Sequence, residues 1–203
     1  MESLLLVRHA FARSNRDRTA SCAVPGEGLT AEGVEQAQRL GELIATEEIS
    51  LGVATELARS KETLDLALAG RVVPKIVISE LNEIDFGAFS GGLLADYRMW
   101  AAAHSPTEPA PGDGESRALA ATRFARGLRL LLRRPESVVL HVGHALPLRY
   151  AIDSARGLVP AALITPVEHA VPFRLSAEEV EGAARLLEGW SRAPRFRDPS
   201  NEG

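Results

Sequence analysis

Apolar residues fill consecutive positions over Ser3–Val7 and again over Ser137–Leu140, and each run gives way within a few residues to charge, glycine or histidine. Runs this short, apolar at every position, predict strands buried on both faces of a parallel sheet. The first ends in Arg8-His9 and the second passes His141 into Gly143-His144, ahead of a helix-like stretch over 146–152. Elsewhere the period is helical. Thr30 caps a predicted helix over 31–46, with Val34, Ala37, Leu40 and Ile44 on one face and a Glu35–Arg39 pair on the other. A short apolar segment, 51–54, precedes a helix over 58–69 whose face is Leu57, Leu64 and Leu68. The β-branched run 72–78 carries Pro74 and reads as an edge or interrupted strand. A helix is predicted over 92–103 and another over 116–134, stopped by Pro135; the Pro- and Gly-rich stretch 105–114 between them is loop. Residues 167–175, with Pro172, predict an edge strand. Ser176 to Glu179 has the capping-box pattern of a helix running to about 187, with a hairpin strand over 185–190 as the alternative.

Alternating strands and helices predict an α/β fold, a three-layer α/β/α sandwich on a mostly parallel central sheet. Residues 1–192 read as a single domain and 193–203 as a mobile tail. Hydrophobic content of 45% and charged content of 25% suit a soluble globular chain. The net charge of −4 and pI near 5.8 argue against nucleic acid as a partner. Cys22 is the single cysteine, which excludes an intrachain disulfide and fits a reducing compartment. The opening apolar run is too short for a signal peptide or a membrane span, so the expectation is a cytoplasmic protein with no membrane partner. There is no His-Glu-x-x-His and no paired cysteine, hence no metal motif.

Ligands of open α/β sheets bind outside the carboxyl ends of the strands. Arg8-His9 and His144 both fall at such ends, and Arg59 falls near a helix N-terminus that favours anions. The combination points to an anion site containing a nucleophile or proton carrier.

These residues fall in a larger pattern. Leu6-Val7-Arg8-His9 with Asn15, Leu29-Thr30-Ala31-Glu32-Gly33 with Gln36-Ala37, Leu57-Ala58-Arg59 with Thr63, Leu81-Asn82-Glu83 with Phe86-Gly87, and Gly143-His144 occur in that order. Over 3–152 the chain thereby resembles the histidine phosphatase superfamily, the phosphoglycerate mutase-like fold. The resemblance implies a cofactor-independent phosphomonoesterase, similar to histidine acid phosphatases, acting on a small phosphorylated metabolite. It assigns His9 as the phosphorylated nucleophile, His144 as a catalytic partner, and Arg8, Asn15, Arg59 and His144 as phosphate ligands. Glu83 becomes the general acid, with Asp85 as its rival, and no metal or cofactor is implied. A phosphoglycerate mutase-type transfer and a non-catalytic phospholigand-binding protein are the alternatives.

Several positions depart from that pattern or stay open. Ala10 replaces the usual glycine, Phe11-Ala12 replaces Glu-Thr, and Phe89-Ser90-Gly91 replaces an aromatic-Glu-Gly sequence. His141 reads as structural, and His104 and His169, outside every motif, read as solvated. Tyr97 and Trp100 are either pocket cover or packing. Glu115-Ser116 either borders the site or simply caps a helix. Arg13, Arg16 and Arg18 would favour an additional anionic group on the substrate. The edge strand over 167–175 could lie at a homodimer contact.

Overall fold

The computed structural model describes residues 1–197. Five strands, β1 (Ser3–Arg8), β2 (Leu51–Ala54), β3 (Lys75–Val77), β4 (Val138–Gly143) and β5 (Pro172–Ser176), form one sheet in the order β3-β2-β4-β1-β5. All neighbours are parallel except β5, which runs antiparallel to β1. The consecutive apolar residues of β1 are explained by burial on both sides. Leu4 and Leu6 enter a core shared with α5 (Arg117–Leu132), α6 (Ala145–Ala155) and α7 (Ala177–Arg192). Leu5 and Val7 enter a second core under α2 (Ala31–Leu43) and α3 (Ala58–Ala67). The layers are thus α/β/α, as the alternation predicts. Two shorter helices, α1 (Arg13–Arg16) and α4 (Leu94–Ala103), lie in the connections.

Element boundaries differ from expectation where local chemistry intervenes. The first long helix stops at Leu43 rather than residue 46, because Ala45 and Glu47 turn back onto the carbonyls of Glu42 and Ile44. Pro74 has no N–H for the ladder, so β3 begins after it, although its carbonyl still accepts from Gly52 N at 2.9 Å. The last strand starts at Pro172 rather than residue 167, with proline in the first strand position where it is tolerated. The segment before it turns inward instead, through Ala170 at φ 55°. Ser176 and Glu179 form the capping box, and α7 runs unbroken to Arg192, so the hairpin alternative is not adopted. The tail expected to be mobile is docked as far as residue 197: Trp190 Nε1 donates to Arg195 O (2.7 Å), and an Arg197 Nη donates to Asp153 (3.1 Å). Residues 198–203 lie outside the described part.

The first turn of α2 is seated on the backbone just after β1. The Thr30 N–H and hydroxyl both donate to Phe11 O, each at 3.0 Å, while Thr30 Oγ1 accepts from Gly33 N. A Cβ at Gly33 would lie 2.1 Å from that same Phe11 oxygen. Two backbones meet there, so neither can yield cheaply. Gly33→Ala should lower stability by about 1–3 kcal/mol, the usual range for overpacking. Gly182→Ala, in α7 with nothing within 4 Å of the new Cβ, should raise stability by about 0.5–1 kcal/mol. Urea denaturation of both variants checks the pair, and equal midpoints would sink the close-approach argument.

Candidate active site

β1, β4 and β2 end side by side and deliver His9, His144 and Thr55 to one sheet edge. The chain leaving β1 has no strand to pair with, yet its backbone N–H groups are all satisfied. His9 N donates to Gly143 O (2.9 Å), Ala10 N to Thr63 Oγ1 (3.0 Å), Phe11 N to Gln36 Oε1 (2.9 Å) and Ala12 N to Asn15 Oδ1 (3.0 Å). Side chains from three of the motifs therefore clamp this turn.

His9 is 3% exposed. Its Nδ1 lies 2.8 Å from Ala10 O, which can only accept, so Nδ1 carries the proton. Nε2 is then a bare lone pair, and it accepts from Arg59 Nε at 3.1 Å. Burial, followed by Arg59 and Arg8, holds the His9 pKa well below the usual histidine range. Arg59 is fixed on its far side by Ser21 O (2.8 Å). The His144 ring lies 5.3 Å from that of His9, and its Nε2 is 2.8 Å from Thr55 Oγ1. Its buried Nδ1 has no hydrogen-bond partner among the described residues, and burial followed by Arg59 again depresses its pKa. Arg8 donates to Val167 O (2.8 Å), and burial lowers its pKa to about 10. Two guanidinium groups, buried Arg59 and half-buried Arg8, thus face neutral imidazoles, an arrangement suited to an anion.

The segment carrying Glu83 is held from two sides. Asn82 exchanges hydrogen bonds with the backbone and carboxylate of Glu56 (3.0 and 2.8 Å). Arg123 donates to the carbonyls of Glu80, Asn82 and Glu83, and forms a two-pronged ion pair with Glu115 (2.9 and 2.6 Å). Burial raises the Glu83 pKa, opposed by the Ile84 N–H bond and by Arg59 and Arg8. Asp85 is exposed and its Oδ1 accepts from Gly87 N at 2.9 Å. Glu83, unlike exposed Asp85, is shielded from solvent by burial and interacts electrostatically with both arginines.

Two histidines expected in solvent are half-buried instead. His169 donates from Nδ1 to His9 O (2.7 Å), its ring lies 5.5 Å from that of His9, and Arg8 bridges to its backbone. Burial, then Arg8, lowers its pKa to about 4. His104 stacks on Trp100 at 4.6 Å and bonds to Trp100 O. Trp100 is therefore packing, while buried Tyr97 lines a cavity that Glu83 also lines. Ser116 caps α5 through Leu119 N (3.1 Å). Arg13, Arg16 and Arg18 are exposed, and Arg16 is paired with Asp17. Among the described residues no group of three or more His, Cys, Asp or Glu could hold a metal ion, and no helix is long and apolar enough to cross a membrane.

The sequence model of the histidine phosphatase superfamily (branch 1) matches residues 4–186. An adenosylcobalamin/alpha-ribazole phosphatase of Escherichia coli (strain K12) is 40% identical over 84 residues, 41% of each chain, so the match spans about two fifths of that relative. The crystal structure of a putative alpha-ribazole-5'-P phosphatase from Escherichia coli aligns with a TM-score of 0.75 at 27% identity, covering 86% of this chain and 90% of that one. The alpha-ribazole phosphatase from Shigella flexneri aligns with a TM-score of 0.74 at 28% identity, covering 85% and 89%.

His141 and His169, both lowered to about 4, set a pH dependence of stability. Between their folded pKa and the ordinary value near 6.5, the unfolded chain binds protons that the folded one does not. Stability should therefore fall as pH drops from about 6.5 toward 4. Urea midpoints at several pH values across this window check it, and a flat profile would contradict the buried neutral assignment.

Proposed function

The chain belongs to the histidine phosphatase superfamily (branch 1), and from that premise we propose that it hydrolyses a small phosphomonoester through a phosphohistidine on His9. The observation that carries this reading is the His9 tautomer. A proton fixed on Nδ1 by Ala10 O leaves Nε2 free to act as a nucleophile, and the Arg59 Nε–H that now donates to it would donate to a phosphoryl oxygen instead. Nε2 forms a bond to phosphorus as the ester P–O bond breaks, and the leaving oxygen takes the Glu83 proton. Water then attacks the phosphorus, giving its proton to the Glu83 carboxylate, and the P–N bond breaks to return neutral His9. Arg8, Arg59 and His144 hold the equatorial oxygens, where phosphoryl transfer concentrates its charge. Asn15 spends Oδ1 on Ala12 N, which orients its amide N–H groups as neutral donors.

A carboxyl acts as general acid near neutral pH only with a raised pKa, which burial of Glu83 supplies. Because relatives are named alpha-ribazole phosphatases, alpha-ribazole 5'-phosphate is the first natural ester to assay.

Turnover of p-nitrophenyl phosphate in EDTA tests the reading. His9→Ala should remove essentially all of it, to below about one-hundredth, while the protein stays folded. Acid-quenched wild type should carry an acid-labile, alkali-stable phosphate. Glu83→Gln should cost about 10²–10⁴-fold on alkyl esters and much less on p-nitrophenyl phosphate, whose leaving group needs no proton. Equal losses on both would remove Glu83 from the acid role. Arg59→Lys keeps the charge without the planar fork and should lose about 10²–10³-fold in kcat/KM, whereas exposed Arg39→Lys should change little.

A further inference from the structure

Two arginines among the described residues are buried, Arg59 at 3% and Arg117 at 6% exposure. Neither is ion-paired, although partly buried Arg123, Arg129 and Arg149 each have a carboxylate partner. For Arg59 the missing anion is the phosphoryl group. Arg117 has no such explanation. Its Nη atoms donate to Tyr150 Oη (3.2 Å) and Ala162 O (3.4 Å), its guanidinium sits 5.4 Å above the Tyr97 ring, and its buried Nε meets no acceptor. Each of these contacts is neutral, and Glu83, the carboxyl in the same cavity that does interact electrostatically with Arg117, is the group assigned above as the protonated acid. A buried cation is costly unless an anion accompanies it.

Arg117 lines a cavity of about 270 Å³ that also contains Glu83. Phe86, Tyr97, Leu146 and Ile164 wall it, and exposed Arg98 joins the lining. Glu83 borders a second cavity, but that one holds five carboxylates against Arg123 and Arg126, and Arg123 is already spent on Glu115. A phosphate ester is repelled from the acidic cavity and attracted to the one bearing Arg98 and Arg117. A general acid must touch the ester oxygen, so the alcohol portion starts at Glu83 and extends into one of these two spaces.

We infer that the alcohol portion of the substrate enters the apolar cavity and carries a carboxylate that Arg117 binds, so that the preferred substrates are phosphomonoesters of hydroxy acids with an apolar body, ahead of carboxylate-free esters such as alpha-ribazole 5'-phosphate. The inference rests on the assignment of His9 and Glu83 above. The guanidinium fork matches a carboxylate, and the apolar walls strengthen the pair by excluding water.

The test uses phosphate esters of para-hydroxybenzoate, para-hydroxyphenylacetate and para-hydroxyphenylpropionate, which vary the reach, each beside its primary amide. In the wild type, kcat/KM of at least one acid should exceed that of its amide by about 10–100-fold, as for a hydrogen bond to a charged group. In Arg117→Met that ratio should fall to within about threefold of one. Arg117→Lys, which keeps the charge and guards against loss of fold, should lower the ratio at least about threefold. No preference for any acid in the wild type, or a preference that survives both substitutions, overturns the inference. The uncleavable methylenephosphonates of the same compounds, titrated by calorimetry, separate it from the hydrolytic reading. Tighter binding of an acid than of its amide with no ester turned over keeps the subsite and removes the reaction. Turnover of every ester with no acid preference removes the subsite alone.

Discussion

The turn that follows β1 is where the molecule's requirements meet. Four successive residues leave the sheet inside the protein, and a buried N–H without an acceptor is not tolerated. The sheet cannot supply more than the Gly143 carbonyl for His9, so the remaining acceptors come from Thr63, Gln36 and Asn15. That single need positions α2, α3 and α1 relative to β1. It also explains the bareness of Gly33, whose missing Cβ admits Phe11 O. Thr63 has a second task, donating to Arg59 O at 2.7 Å, so the hydroxyl that holds the turn also holds the backbone of the residue whose side chain meets His9.

Charge is arranged with equal economy. His9, His144 and His169 are all driven neutral, chiefly by burial and then by the arginines. Protonating any of them beside Arg8 and Arg59 would add a third cation to a low-dielectric space. The positive potential therefore resides on guanidinium groups, which retain charge at every relevant pH, while the imidazoles retain lone pairs. Glu83 completes the pattern from the other sign: its burial opposes ionisation, and the same arginines moderate that effect.

Much of this was legible in the residues. Consecutive apolar positions identified β1 and β4 because both of their faces are covered, and the capping pattern at Ser176 identified α7 because Glu179 does reach back to the Ser176 N–H. Leu29 to Ala37 carried a readable motif, but its purpose, seating on Phe11, emerges only in three dimensions. His169 was illegible for a physical reason. It is held by a backbone oxygen, a bridge to Arg8 and edge contacts with the His9 and Phe11 rings, interactions that leave no periodicity in the sequence. Thr55, whose hydroxyl meets His144, is likewise a common residue type at a strand end. Arg117 directly follows a helix cap, a position usually exposed, so its burial comes from the loop carrying Ala162 folding over it. The docking of residues 193–197 depends on Trp190 and Asp153, whose relation is purely tertiary.

The placement of β1 between β4 and β5 has a consequence for how the protein is made. Ser3 pairs with Val138 on one side and Ser176 on the other, so the strand bearing His9 emerges from the ribosome long before either neighbour exists. At roughly 5–20 residues per second it waits on the order of 10 s, apolar on both faces and with both edges open. Of the helices that pack on it, α2 and α3 are made early in that interval and α5 only near its end. The clasp that Thr30 and Gln36 make with Phe11 joins β1 to the first long helix made after it, and such a contact can shelter the strand until the centre of the sheet arrives. A family motif near His9 can then serve the nascent chain as well as the folded one.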